Sequence, residues 1–173
     1  MATSVIPRVM LASDTQLVSG TSVATTSGTS VDFTGIPSTA TRIQIALAGV
    51  STNGASQLQV QIGSGSVSTS GYAGATDASS VAGAVASAAL TSGLGLERTG
   101  VAAAASVRHG VVTLLHLGSN VWSMSWLGSR SDSACILMGA ASITLGGALD
   151  RVRLTTVNGT DTFDAGAVNI FYD

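Results

Sequence analysis

The chain contains no lysine. All seven of its basic residues are arginine, and only 9% of its 173 residues carry a charge of either sign. Neutralising nucleic-acid phosphates takes a clustered basic stripe. Seven scattered arginines in a chain of net charge -2 do not form one, which argues against a nucleic-acid partner. Without lysine there is no phosphate-cradling Walker loop, and no Gly-x-Ser-x-Gly elbow occurs either. Cysteine is almost absent as well. Cys135 stands alone, so no disulfide closes within the chain and the fold rests on packing. Beside Ile136, Leu137 and Met138 it reads as a small buried hydrophobe. Long apolar runs are also missing. The mean hydropathy of +0.47 comes from Ala and Val interrupted by Gly, Ser and Thr, and nothing approaches membrane-spanning length. Residues 1–20 lack the basic start and apolar segment of a secretory signal.

Charge this sparse has two explanations: a surface kept soluble by Ser, Thr, Asn and Gln, or a surface covered by other copies of the chain. A mixture of the two is expected here. Obligate interfaces are depleted in charge, and Arg is the basic residue they favour. At this length the chain is one domain with room for a substantial core.

What is present is alternation of period two. Residues 42–50 place Ile43, Ile45 and Leu47 on one face, and residues 57–62 place Leu58, Val60 and Ile62 on one face, with turn chemistry between them. The pair predicts a hairpin whose outer row, Gln57, Gln59 and Gln61, is solvated or bonds along a partner. Residues 108–117 and 121–127 predict a second hairpin through Gly118-Ser119-Asn120. Residues 22–33 suggest two short strands or one bulged strand, broken at Ser27-Gly28. Residues 63–106 are rich in Gly, Ser, Ala and Thr. They predict at least one further strand near 91–98, with loops that have room for a recognition role. Residues 129–142 read as a polar connection around the apolar Cys135 to Met138. At the C-terminus Arg151, Arg153 and Thr155 alternate with Val152, Leu154 and Thr156. The chain then turns at Asn158-Gly159 into a strand carrying Val168, Ile170 and Tyr172 on one face.

Three blocks carry a resemblance: this C-terminal run, Gly28-Thr29-Ser30-Val31-Asp32-Phe33-Thr34-Gly35-Ile36-Pro37-Ser38, and Val50-Ser51-Thr52-Asn53-Gly54. Together they resemble a small β-sandwich domain of tailed-bacteriophage virion proteins, over roughly residues 20–173 and loosely between Tyr72 and Arg108. Where such domains usually carry an aromatic and a lysine after the proline, this chain has Ser38-Thr39-Ala40-Thr41-Arg42. The resemblance implies an all-β, antiparallel β-sandwich of jelly-roll type in residues 21–173, and the apolar Val5, Ile6, Val9, Met10 and Leu11 before it, which need a cover, suggest an attachment arm in residues 1–20. It implies a non-enzymatic structural protein on the virion surface, a homotrimer forming a tail-fibre or receptor-binding tip. Its expected partners are other virion proteins, through the arm, and a host surface glycan or receptor; no membrane insertion is expected. Capsid decoration or a head fibre is the alternative, favoured by the short stretch before the domain. A cellular carbohydrate-binding module is a third reading, and an esterase or glycosidase ranks last.

Individual residues add little chemistry. Trp122 and Trp126, four residues apart on one face, are either exposed rings for stacking on sugars or core rings; Met124 between them favours the core. With Tyr72 they are the candidate ligand contacts. His109 and His116 lie seven apart on one strand, hence on opposite faces, and do not share a metal. Asp161 and Asp164 offer oxygens to calcium or cap the turn, and the turn needs fewer ligands than calcium does. Asn158-Gly159-Thr160 matches a glycosylation acceptor, but its turn role explains it. No catalytic residue, metal or cofactor is expected.

Overall fold

A computed structural model describes residues 16–80 and 87–173. Among these the chain forms strands β1 (Val18–Ser19), β2 (Val23–Ala24), β3 (Ser30–Thr34), β4 (Arg42–Thr52), β5 (Leu58–Ser64), β6 (Ser66–Val67) and β7 (Ala73–Ser80). It continues through β8 (Ala88–Leu90), β9 (Leu94–Gly95), β10 (Arg108–Gly118), β11 (Val121–Arg130), β12 (Cys135–Thr144), β13 (Arg151–Thr156) and β14 (Phe163–Tyr172). No helix occurs among the described residues. A nine-stranded antiparallel sheet runs β1-β14-β4-β10-β11-β12-β7-β8, with β2 also on β14. A five-stranded antiparallel sheet runs β3-β13-β5-β6, with β9 also on β5.

The two sheets share one core and make a sandwich-like, all-β molecule. The larger sheet contributes Ile43, Ile45, Leu47, Val112, Leu114, Trp122, Met124, Trp126, Leu137, Val168 and Ile170, and the smaller contributes Leu58, Val60, Ile62, Val152 and Leu154. Each side chain is worth about 1.5–3 kcal/mol on leaving water, so the period-two pattern sets which face of each strand turns inward. The β10–β11 hairpin forms as its sequence suggests, with Ser119 (φ 50°) and Asn120 (φ 57°) both left-handed at its tip, the geometry that matches strand twist in a two-residue turn.

Other expectations are corrected. Strands β4 and β5 are not a hairpin: β4 lies in the larger sheet and β5 in the smaller, and the turn between them crosses the core. Alternation identifies an inward face but does not tell a neighbour in the same sheet from a strand in the facing one. The same holds at the C-terminus, where β13 pairs with β3 and β5 while β14 pairs with β4, β1 and β2. Gln57, Gln59 and Gln61 are buried rather than solvated, because the segment carrying β9 runs along β5. Gln57 Nε2 donates to Glu97 O (2.6 Å), Gln61 Nε2 to Ser92 O (2.8 Å), and Ser92 Oγ to Gln59 Oε1 (2.8 Å). The region 91–98 contributes only the short β9. The longer strand lies earlier, as β7, which pairs with β12 from Cys135↔Ser80 to Ser142↔Ala73. β12 itself is a ten-residue strand where the sequence reading placed a connection. Residues 22–33 divide into β2 and β3, one in each sheet.

The attachment arm lies mostly outside the described residues, which begin at residue 16. Its last residues belong to the larger sheet: Val18 pairs with Tyr172, and Gly20 N donates to Ile170 O (2.8 Å).

Candidate functional site

The three aromatic candidates are interior. Trp122 and Trp126 are each 2% exposed and Tyr72 is 3% exposed, so no ring offers a free face to a sugar. Trp126 bridges the sheets, its Nε1 donating to Leu96 O (2.8 Å). Its indole lies over the cross-strand pair Gly110↔Gly128; a Cβ on Gly128 would sit 2.1 Å from Trp126 Cζ2. The glycines therefore make room for the ring. Trp122 stacks on His116 with centroids 4.9 Å apart at 25°, and its own buried Nε1 has no partner. The Tyr72 hydroxyl accepts from Ile62 N (2.7 Å) and faces Ile62 O (3.2 Å) and Ser68 O (3.1 Å). Burial pushes its pKa up to about 12, against a smaller opposing pull from the Ile62 hydrogen bond.

Among the described residues most ionisable side chains are engaged in pairs and turns; Arg98, whose buried Nε has no partner, is an exception. Arg108 and Glu97 form an ion pair with no solvent exposure on either side chain, Arg108 Nε donating to Glu97 Oε1 (2.7 Å) and Nη1 to Ser106 O (3.0 Å). Glu97 Oε2 lies buried without a partner. At the end of β11, Arg130 clasps Asp132 and donates through Nη1 to Val101 O (2.8 Å), while Val107 N donates to Asp132 Oδ1 (2.8 Å). The Arg130 hydrogen bond holds the Asp132 pKa down to about 2. Arg42 pairs with Asp173, Arg151 with Asp150, and Arg153 with Asp32. Asp161 accepts from Ser56 N (2.9 Å) and Asn158 Nδ2 (2.7 Å), and Asp164 is bonded by Ser51. Asp161 thus has the turn role, whereas Asp164 lies on β14 and is held by Ser51 of the paired strand β4. Among the described residues no three His, Cys, Asp or Glu side chains cluster as metal ligands would.

His109 and His116 face opposite sides of β10. Gly49 N donates to His109 Nδ1 (3.2 Å), which leaves the proton of the neutral ring on Nε2, 3.1 Å from Ser131 Oγ. Cys135 is buried, and desolvation raises its thiol pKa.

The two outer surfaces differ in chemistry. The smaller sheet turns outward the Arg153–Asp32 pair and Thr155 beside a polar groove of about 340 Å³, also lined by Gln59, Gln61 and Ser92. The larger sheet turns outward an apolar row. Ala46, Val111, Leu127 and Met138 are direct cross-strand neighbours on β4, β10, β11 and β12. Val111 is 40% exposed, Leu127 66% and Met138 42%, with Leu115, Leu117 and Ile136 exposed around them. The neighbouring row, Gln44, Thr113, Ser125, Ala140 and Ala75, carries no charge. Sequence reading did not assemble this surface. Its signal was present in residues 111–117, where Val111, Leu115 and Leu117 alternate with inward Val112 and Leu114, making β10 apolar on both faces.

Comparison with models of known families, with curated proteins and with solved structures gave no match.

Proposed function

We propose that this chain is a non-enzymatic structural protein on the surface of a tailed-bacteriophage virion, acting as a homotrimeric tail-fibre or receptor-binding tip. The observation that carries the structural reading is the uncharged, apolar outer face of the nine-stranded sheet, set on a molecule in which five of the six described arginines are held in ion pairs. A scaffold built to pack against other chains needs such a face, whereas a catalyst needs free polar groups converging on a cavity. The assignment to a virion rests on the three sequence blocks named above. The jelly-roll winding belongs to the same proposal, and it is supported by β3, β4, β5 and β7, and again β12, β13 and β14, alternating between the two sheets.

An antibody against this chain, applied to purified particles and imaged by electron microscopy, tests the proposal. Label at the tail end, with adsorption to host cells blocked by free protein, supports the receptor-binding tip. Label over the shell replaces it with capsid decoration, and particles free of label overturn both.

A further inference from the structure

We infer that the outer face of the nine-stranded sheet, centred on Val111, Leu127 and Met138, is the surface through which copies of this chain pack together. The inference rests on the self-association part of the function proposed above and gives it a location. Three observations select a second copy as the occupant.

The first is chemistry. Across β4, β10, β11, β12 and β7 the outward positions are Ala, Val, Leu, Ile, Met, Ser, Thr and Gln, and ionisable groups stand only at the margins. Asp77 ends the row through Met138, Arg42 ends the row through Leu115, and His109 begins the row through Ile136. A face without charge gives a charged partner nothing to pair with, so its occupant must itself present an uncharged apolar surface. This chain carries one.

The second is size. Five strands spaced about 4.8 Å apart, each offering about nine residues at 3.3 Å, span about 700 Å², close to the roughly 800 Å² per partner of a standard stable interface.

The third is the contrast between faces. The smaller sheet carries the partly exposed Arg153–Asp32 pair on its outer face and has Gln59 and Gln61 covered by the segment carrying β9, while the larger leaves Val111 at 40%, Leu127 at 66% and Met138 at 42% exposed as direct cross-strand neighbours. Contiguous apolar exposure on this scale marks an interaction site rather than ordinary surface.

The test is the mass of the full chain in solution, measured by light scattering behind size exclusion across a concentration series, for the native protein and three variants. Leu127→Arg and Ser125→Arg each place a charge in the middle of the face at an exposed position. Val157→Arg changes a comparably exposed apolar residue elsewhere, at the β13 turn. Circular dichroism checks each fold, and Ser125→Arg decides the result if Leu127→Arg does not fold. The native protein and Val157→Arg should run as the same oligomer, while the two face variants shift to monomer with self-association weakened at least about tenfold. Folded face variants that keep the native mass overturn the inference and leave self-association through another surface. A native protein that stays monomeric throughout overturns the inference and the homotrimer together, and virion labelling remains an independent measure of location.

Discussion

Replacing Glu97 with alanine isolates the most heavily buried charge pair among the described residues. Arg108 and Glu97 are both fully buried, and without the carboxylate Arg108 keeps only its bond to Ser106 O at 3.0 Å. Taking a charge out of water costs several kcal/mol, which the partner offsets; removing one partner of such a pair costs about 3–5 kcal/mol, because the survivor is left uncompensated. In a domain of this size each kcal/mol moves the thermal midpoint by about 2–4 °C, so Glu97→Ala should melt roughly 10 °C below the native protein. The bond from Gln57 to Glu97 goes to the backbone carbonyl, so it survives the substitution and does not confuse the result. The companion is Glu97→Leu with Arg108→Met, which removes both charges while keeping most of the volume. Replacing a whole buried pair by apolar groups is often neutral or stabilising, so the double variant should regain most of the loss. Melting followed by circular dichroism, with urea unfolding for the free energy, reads both. A Glu97→Ala variant within about 1 kcal/mol of native, or a double variant less stable than the single one, refutes the claim that the pair persists by mutual compensation.

Three further outcomes follow from the local geometry. The Asp132 carboxylate is held near pKa 2 by Arg130, below its ordinary value, so its contribution is present at neutral pH and fades as pH falls from about 4 towards 2. Asp132→Asn should therefore cost about 1 kcal/mol in urea unfolding at pH 7 and clearly less at pH 2, where the carboxylate is about half protonated; an equal cost at both removes the ion pair as its cause. Tyr72 is shifted the other way, so its contribution is intact below about pH 10 and is lost as pH rises towards 12. Tyr72→Phe should cost about 1–3 kcal/mol at pH 7 by leaving Ile62 N–H unpaired in the interior, and should remove that alkaline loss; an unchanged alkaline profile would locate it elsewhere. Gly128→Ala drives a methyl group against the Trp126 ring and His109 O, and should cost about 1–3 kcal/mol and shift the tryptophan emission; an unaltered melt would mean the indole moves aside freely.

The legible part of the fold was the part written in period two. Ile43, Ile45 and Leu47, Leu58, Val60 and Ile62, and Trp122, Met124 and Trp126 each point inward as their spacing requires. Partnership between strands was less legible. The turn at Asn53-Gly54 and the turn at Asn158-Gly159 have the chemistry of hairpin turns, yet each carries the chain from one sheet to the other. Long-range hydrogen bonds tie these two crossings to each other, Asn53 N to Thr162 O at 2.9 Å and Ser56 N to Asp161 at 2.9 Å, and no local pattern encodes bonds between residues a hundred positions apart. β7 was hidden for a different reason. Ala73-Gly74-Ala75-Thr76-Asp77-Ala78 has little side chain with which to show a period, and its place is set by the well-patterned β12 beside it.

The buried pair and the outer face were hidden by opposite circumstances. Glu97 and Arg108 are visible in the sequence as rare charges, but nothing local says that both are interior, because charge ordinarily marks a surface. The outer face is built from residues that ordinarily mark an interior. In an antiparallel sheet with one wet side, a strand alternates apolar with polar, as β13 does with Arg151, Val152, Arg153 and Leu154. Strand β10 breaks that rule over Val111, Val112, Thr113, Leu114 and Leu115, the pattern of a strand covered on both sides. The core of its own chain covers one side, through Val112 and Leu114. The described residues supply no second layer over the other side, and Val111 and Leu115 remain 40% and 45% exposed. A sequence patterned for two layers in a fold that supplies one is the physical reason to look for the second layer in another copy.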